Sequence, residues 1–507
     1  MSPKPRINQV ILIIMDDVRA EHLFRFMDEG KLPNMASLTD KGISCRNCIT
    51  SFPSITYPCY ANIVIGAYSG YYPKEGSGVV NYHWVGRTDP PSEGKKFPII
   101  RNYGAGRQLW RLGKDLGKNV QTIFEQAGEG NFLSALNVLF RGSEVKIPSA
   151  FTSELIFKIA KDAYKNPGDF FPNKEVPKIT IIYIPETDVL MHKRGFKSKK
   201  YINEVLSCDK YLGSLMETLK ITGYYNDTAI CIISDHGNYA APEMYDLEPF
   251  FQAKGLIQYD PKKGTGDFDA QFGSVGFFNF PGNTWHTHPT IEQLKKFIPI
   301  GGNGKKINLF EMIWEIPGTK YMYYRDDENI PNNGMIHLEY KDPKTGKIAK
   351  GQIEYEGHGI KQKTKYKFED IDLFGYERHE KAEKLLDDKA HTIDEWLEAT
   401  YQIDFPMFID QLPRYFKNPR TCDIMTSTCG EYAFGFEHGK TKEYSPYSHD
   451  IALKKSMTVP MILGGSAEIP NIEIPYCKTT DIVPTLLNLL GINPHSSVVG
   501  RSILDLI

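Results

Sequence analysis

Three short stretches pair carboxylates with imidazoles or with each other: Asp16-Asp17, Asp188 with His192 four residues on, and Ser234-Asp235-His236-Gly237. Each follows an apolar run, respectively Val10 to Met15, Ile179 to Ile184 and Ala229 to Ile233. A single aspartate after a strand is ordinarily a turn residue or a helix cap. Three such endings have a common explanation, because open α/β sheets place their ligands at strand ends. Carboxylate and imidazole donors without thiolate suit Zn²⁺, and they also accept Mn²⁺ or Fe. Asp188 and His192 share a face if the chain turns helical after Ile184. A hydroxyl candidate lies in Phe52-Pro53-Ser54-Ile55-Thr56-Tyr57-Pro58, just before Ala61 to Gly66, which reads as the start of a helix. A helix N-terminus favours a phosphoryl oxygen, although Ser54 or Thr56 alone would equally serve as an N-cap. Threonine is a weak nucleophile, and a cation beside its oxygen removes the need for a protein base. Two cations about 4 Å apart support both the attacking and the leaving oxygen of an in-line displacement.

The elements that must carry these side chains alternate as strand and helix over the first 240 residues, the pattern of a parallel sheet with crossovers. Leu32-Pro33-Asn34 opens a short helix that Gly42 stops. The apolar spacing from Tyr201 to Leu219 gives a helix with one buried stripe. From about residue 241 to 435 the chain becomes rich in Gly, Pro, Asn, Lys and aromatics with few clean strand runs, and Pro261–Asp269 and Lys341–Lys350 read as loops or hairpin turns. Order returns in Thr458 to Gly464, a strand, and Thr479 to Gly491, a capped amphipathic helix. The expected architecture is α/β, a mostly parallel central sheet flanked by helices. Residues 1–240 and 436–507 form the catalytic core, and 241–435 form an inserted cap that sets specificity.

A length of 507 residues, with 41% hydrophobic and 24% charged, is that of an ordinary globular chain of two or three domains. The net charge of -2 gives no electrostatic case for a nucleic acid polymer or an anionic membrane as partner. No run approaches the roughly 20 apolar residues of a membrane span. The run after Lys4 and Arg6 stops at Asp16, too short for a signal peptide, so the expected location is cytoplasmic. Eight scattered cysteines indicate no disulfide framework, and Cys45 and Cys48 read as strand or core positions. Gly301-Gly302-Asn303-Gly304-Lys305 lacks the spacing and the preceding strand of a P-loop. Oligomeric state is not legible.

Taken in chain order, Met15-Asp16-Asp17-Val18-Arg19, Leu32-Pro33-Asn34, Pro53-Ser54-Ile55-Thr56-Tyr57-Pro58, Asp188-x-x-x-His192, Ser234-Asp235-His236-Gly237, Val459-Pro460 and Asp481-Ile482-Val483-Pro484-Thr485 resemble the alkaline phosphatase superfamily. The likeness is strongest to its type I phosphodiesterase/nucleotide pyrophosphatase branch. It covers residues 8–84, 176–240 and 440–507 and says almost nothing about the insert. It implies Thr56 as the nucleophile of a phosphothreonine intermediate. Asp16, Asp235 and His236 would hold the cation that activates Thr56. Asp188, His192 and a later histidine would hold a second, and both cations would be zinc. Asn81 would donate a hydrogen bond to a non-bridging phosphoryl oxygen, where charge develops.

The later histidine is where the chain departs from the family, which usually shows His-Gly before the Val-Pro strand. His438-Gly439 has the dipeptide but lies 21 residues before Val459, whereas His449-Asp450 lacks the glycine and lies ten residues before it. His449 is the choice, then His438; His358 lies inside the presumed cap. Asp17 stands where phosphodiesterase relatives commonly have glycine, which echoes sulfatases and phosphonate monoester hydrolases. Thr56 at the nucleophile and Tyr60 at their arginine position argue against a formylglycine sulfatase. A cofactor-independent phosphoglycerate mutase would need serine in place of Thr56. The reaction so implied is metal-dependent hydrolysis of phosphodiester or nucleotide-pyrophosphate bonds in a small phosphorylated substrate such as a nucleotide. The alternatives are a phosphomonoesterase or phosphonate hydrolase, and, in another class, a metal-binding pseudoenzyme with an interaction cap. A monoester dianion calls for further cations, for which Arg87, Arg101, Arg107 and Arg111 are candidates. Trp285, Tyr321, Tyr323 and Tyr324 would either stack on a nucleobase or pack the cap.

Overall fold

A computed structural model describes residues 7–87, 99–104, 106–135, 139–146, 152–328, 331–435 and 446–507. The chain divides into two units, neither of them continuous in sequence. One comprises Met1–Tyr68, Trp110–Asn238 and Lys454–Ile507; the other comprises Ser69–Leu109 and Tyr239–Leu453.

The first unit is built on a nine-stranded sheet whose strands, in chain order, are β1 (Gln9–Met15), β2 (Ile43–Ile49), β3 (Phe132–Ala135), β4 (Val145–Lys146), β5 (Ile179–Ile184), β6 (Thr228–Ile233), β7 (Thr458–Gly465), β8 (Ile472–Ile474) and β9 (Cys477–Lys478). Their spatial order is β8-β2-β7-β6-β1-β5-β3-β4, with β9 also against β2. Only β7 runs antiparallel to its neighbours β2 and β6. Every described β5 and β6 residue is buried, because helices cover both faces of a central parallel strand and leave no polar side. Pro460 is tolerated in β7 because the β2–β7 ladder shifts register between Cys45 and Cys48, opposite it. The helix expected at Tyr201–Leu219 spans Lys199–Ile221. Its N-cap Ser198 accepts from Tyr201 N, and its buried stripe includes Tyr201, Val205, Leu212, Leu215 and Leu219. All eight cysteines are free thiols, with Cys45 and Cys48 buried in β2.

The second unit corrects the expectation of few strands. It contains an eight-stranded antiparallel sheet ordered Asp269–Phe272, Val275–Asn279, Ile424–Ser427, Tyr321–Arg325, Asn333–Lys341, Ile348–Glu356, Lys363–Phe368 and His391–Thr392. Its longer strands are half-buried and carry Lys, Glu and Gly among the apolar residues, so they form no apolar run in sequence. Lys341 pairs with Ile348 across the expected hairpin turn. Phe251, Phe268, Phe278, Phe280, Leu309 and Ile313 centre the core of this unit. Of the aromatic residues singled out in the sequence, Trp285, Tyr321 and Tyr323 are packed away, whereas Tyr324 is half-buried and lines a cavity with His337 and Lys350. Tyr321 and Tyr323 are buried, Tyr324 lies against Phe310, and Trp285 lies against Tyr259.

The boundaries also differ from the sequence division, since residues 69–109 belong with the insert. Among the contacts that tie them there are those of Arg87, at the end of the hairpin His83–Gly86/Ile99–Asn102. Its buried guanidinium donates to Asp423 Oδ2 at 2.7 Å, to the Thr287 carbonyl at 2.9 Å and to the Phe280 carbonyl at 3.0 Å. His288 Nδ1 meets the other Asp423 oxygen at 2.5 Å. Burial raises the Asp423 pKa, but Arg87 and His288 outweigh it and hold the carboxyl below its ordinary value. Removing one member of a buried pair strands the other charge, at a cost of about 3–5 kcal/mol. Arg87→Ala should therefore lower the unfolding free energy of the second unit by that amount in denaturant titration. A loss under about 1 kcal/mol would mean that the hairpin is held by something else.

Candidate active site

Parallel pairing fixes where the acidic side chains emerge. β1 lies between β5 and β6, with Met15 opposite Ile184 and Ile14 opposite Ile233. The three strands end level, so Asp16, the turn before Asp188 and Asp235 leave the sheet along one edge. Asp16 and Asp235 are buried to within about 1% of full enclosure.

One oxygen of each carboxylate is tied down and the other is not. Asp16 Oδ2 accepts from the Tyr183 hydroxyl, and Asp235 Oδ1 accepts from the backbone N–H of His236 (2.9 Å) and of Asp17 (3.2 Å). Asp16 Oδ1 and Asp235 Oδ2 are buried without a hydrogen-bond partner. Both stand 3.5 Å from His236 Nε2. His236 Nδ1 faces the Gly237 carbonyl at 3.2 Å, which puts the proton on Nδ1 and leaves the Nε2 lone pair directed at the two oxygens. Donors held about 2.1 Å from one zinc ion in a tetrahedron lie roughly 3.4 Å apart. Spacing and orphaned lone pairs therefore fit a divalent cation.

Thr56 completes the arrangement. Its helix, Thr56–Ile65, begins at Thr56 itself, five residues before the expected start, because Pro58 fits in a first turn where its missing N–H is not needed. Ile55 is the N-cap and no side chain caps the helix, so neither Ser54 nor Thr56 has that role. Thr56 Oγ1 lies 3.1 Å from His236 Nε2.

Several supporting residues gave no sequence signal. Tyr183, inside the β5 apolar run, orients Asp16 and packs edge-on against Tyr60 with ring centroids 5.1 Å apart. Thr187 Oγ1 donates to the Asp16 carbonyl. Thr50 Oγ1 donates to the Asp235 carbonyl. The Tyr201 hydroxyl donates to the Asp17 carbonyl at 3.0 Å, and Asn238 Nδ2 donates to Asp17 Oδ1 at 2.8 Å. A strand-end tyrosine and an Asn two residues after a His are visible only once the partners are placed.

Asp188 and His192 lie on the helix Glu186–Arg194, as expected, with His192 Nε2 3.2 Å from Asp188 Oδ1. His449 and Asn81 belong to the second unit. His449 is half-buried directly after the short strand Tyr447–Ser448. Asn81 is buried; its Oδ1 accepts from Tyr82 N at 2.7 Å and its Nδ2 is a buried donor without a partner. His358 is exposed before the turn Gly359–Lys361. His438 lies outside the described residues.

The model of the family described as type I phosphodiesterase / nucleotide pyrophosphatase matches residues 10–298, more than half of the chain. The chain belongs to this family. It is 28% identical over 236 residues to an uncharacterized pyrophosphatase/phosphodiesterase of Schizosaccharomyces pombe, a stretch covering 45% of this chain and 44% of that protein. It is 27% identical over 238 residues to ectonucleotide pyrophosphatase/phosphodiesterase family member 3 of Bos taurus, covering 45% of this chain and 24% of that one. The matches thus span less than half the length of these relatives. Among solved structures, murine ectonucleotide pyrophosphatase/phosphodiesterase 5 aligns with a TM-score of 0.54 at 14% identity, over 98% of both chains. An inactive variant of that protein in complex with AMP aligns with a TM-score of 0.53 at 14% identity, over 96% of both. The fold is alkaline phosphatase-like with a separate cap domain. Among the described residues no helix is long and apolar enough to cross a membrane.

The family resemblance leads one to expect glycine at position 17, and the backbone there suits one. Asp17 has φ +61°, a left-handed conformation that glycine adopts without strain. The aspartate is held in it by Asn238 and Tyr201, and adds a further buried carboxylate. Burial raises the pKa of Asp16, Asp17 and Asp235, and the Asp188 charge raises each further. Asp235 is pushed up to about 7. Between the ordinary carboxylate range and pH 7 the folded chain therefore holds protons that the unfolded chain has lost. Stability then falls as pH rises. The melting temperature of metal-free protein should drop from about pH 5 to pH 8, and saturating Zn²⁺ should remove that slope. A flat profile after chelation, or a slope indifferent to zinc, would contradict this.

Proposed function

We propose that the chain hydrolyses phosphodiester or nucleotide-pyrophosphate bonds by double displacement through a phosphothreonine on Thr56. The observation that carries this reading is the Thr56 hydroxyl, 3.1 Å from His236 Nε2, at a helix N-terminus beside two buried carboxylate oxygens without partners. Asp16, Asp235 and His236 hold one divalent cation, and Asp188, His192 and His449 hold the second, both zinc. When bound, such cations supply Lewis acidity at the attacking and leaving oxygens.

Thr56 Oγ1 attacks phosphorus in line, and the leaving group departs opposite it. The dipole of the helix N-terminus stabilises charge on the phosphoryl oxygens. Asn81 Nδ2, a buried donor with no partner of its own, donates to a non-bridging oxygen as charge develops there. Water then attacks the phosphothreonine from the side the leaving group vacated. Two inversions give retention at phosphorus. A nucleotide as substrate is supported by family membership and by the AMP bound to a structural neighbour. Of the four arginines that were candidates for the further cations of a monoester site, Arg87 is taken up by Asp423.

Thr56→Ala should reduce hydrolysis of bis(p-nitrophenyl) phosphate at least about 10³-fold while leaving metal content unchanged. Acid quenching of wild type during turnover should trap phosphate on Thr56, read by peptide mass spectrometry. A Thr56→Ala protein that keeps its rate, or a quenched wild type without the adduct, overturns the covalent route. Metal-loaded wild type that hydrolyses no aryl diester, monoester or pyrophosphate would instead make the protein a binder.

A further inference from the structure

The second unit builds a rigid seat for the residue that follows His449. Asp450 is buried, and its carboxylate is claimed from both sides: the Tyr239 hydroxyl donates to Oδ1 at 2.6 Å and Val275 N donates to Oδ2 at 3.0 Å. Tyr239 Oη itself accepts from Ser274 N at 3.0 Å. A Cβ added at Gly273 would stand 2.1 Å from Asp450 Oδ2, so glycine is needed there for the carboxylate to reach the chain. On the other side of His449, Tyr447 pairs with Ala240 and Ser448 with Tyr239 in an antiparallel ladder, and Ala241 N donates to the Pro446 carbonyl at 2.6 Å. The histidine thus sits between a ladder and a clamp. Both converge on Tyr239, whose backbone carries the ladder and whose hydroxyl carries the clamp. Asp450 occupies the place where the family resemblance leads one to expect glycine. It does not adopt a left-handed backbone, so glycine's conformational freedom is not needed at this position.

We infer that Tyr239 and Asp450 are positioning residues that fix the backbone carrying His449, with Gly273 providing the space, and that this clamp replaces the loop geometry of a His-Gly pair. The inference rests on the reading of His449 as the third ligand of the second cation. The partners that orient a ligand histidine typically tune metal affinity by 10–100-fold. Neither residue touches the reacting atoms. Their loss acts by letting His449 swing, which weakens the second cation and slows the hydrolysis of the phosphothreonine more than its formation.

The test uses full-length protein and compares wild type, His449→Ala, Tyr239→Phe, Gly273→Ala and Asp450→Asn by zinc titration with elemental analysis and by burst kinetics on bis(p-nitrophenyl) phosphate. Wild type should bind two zinc ions and His449→Ala one. Tyr239→Phe and Gly273→Ala should keep the wild-type circular dichroism spectrum, weaken the second zinc at least about 10-fold and leave the first unchanged. Their burst of nitrophenol should remain while the steady-state rate falls, with phosphothreonine accumulating. Asp450→Asn keeps one acceptor, and its new amide can donate to Tyr239 Oη, so its loss should be smaller than that of Tyr239→Phe. Wild-type affinity for the second zinc in both Tyr239→Phe and Gly273→Ala, with His449→Ala down to one ion, overturns the clamp and spares the ligand assignment. Two ions retained by His449→Ala would remove the ligand assignment, and the clamp's catalytic meaning with it. Should Tyr239→Phe fail to fold, Gly273→Ala and Asp450→Asn give the same readout.

Discussion

Like charges crowded in a dry place dominate this structure. The register of three parallel strands delivers Asp16 and Asp235 to one buried edge, with Asp17 beside them and Asp188 near enough to raise the pKa of all three. Removing an uncompensated carboxylate from water costs several kcal/mol after relaxation, and mutual repulsion adds to it. A fold keeps such a cluster only if something positive joins it, protons or a cation. The local details favour a cation. Each carboxylate spends one oxygen on a fixed donor, and its other oxygen stands 3.5 Å from His236 Nε2.

The remainder of the first unit can be understood as support for that geometry. Tyr183 and Tyr60 brace Asp16, Asn238 and Tyr201 hold Asp17 in a backbone conformation that suits glycine, and Thr50 and Thr187 fix the two turns. These groups have no partner-independent signature. A tyrosine in an apolar strand looks like packing until its hydroxyl is seen against a carboxylate. The sequence did disclose the acids themselves, because strand-end aspartates interrupt apolar runs. It also disclosed the helical placement of Asp188 and His192, because i, i+4 spacing is a helical fact.

What the sequence concealed has physical causes. The helix carrying Thr56 begins five residues earlier than its apolar segment, since a first turn tolerates Pro58 and hides behind it. The sheet of the second unit escaped notice because half-buried antiparallel strands such as Lys363–Phe368 mix lysine with tyrosine and phenylalanine. The membership of residues 69–109 in that unit rests on contacts far apart in sequence, among them Asn418 to the Gly70 carbonyl, Arg420 to the Gly78 carbonyl, His83 to Asp269 and Arg87 to Asp423. Arg87 reads as an ordinary basic residue, and its bond to Asp423 spans 336 positions of sequence.

On the function proposed, Asp16, Asp235 and His236 cage a divalent cation beside the Thr56 hydroxyl. X-ray diffraction from zinc-soaked crystals, recorded on both sides of the zinc edge, tests it directly. An anomalous peak is expected about 2.1 Å from Asp16 Oδ1, Asp235 Oδ2 and His236 Nε2. A map empty at that point, with the three side chains hydrogen-bonded to one another at full occupancy, would contradict it.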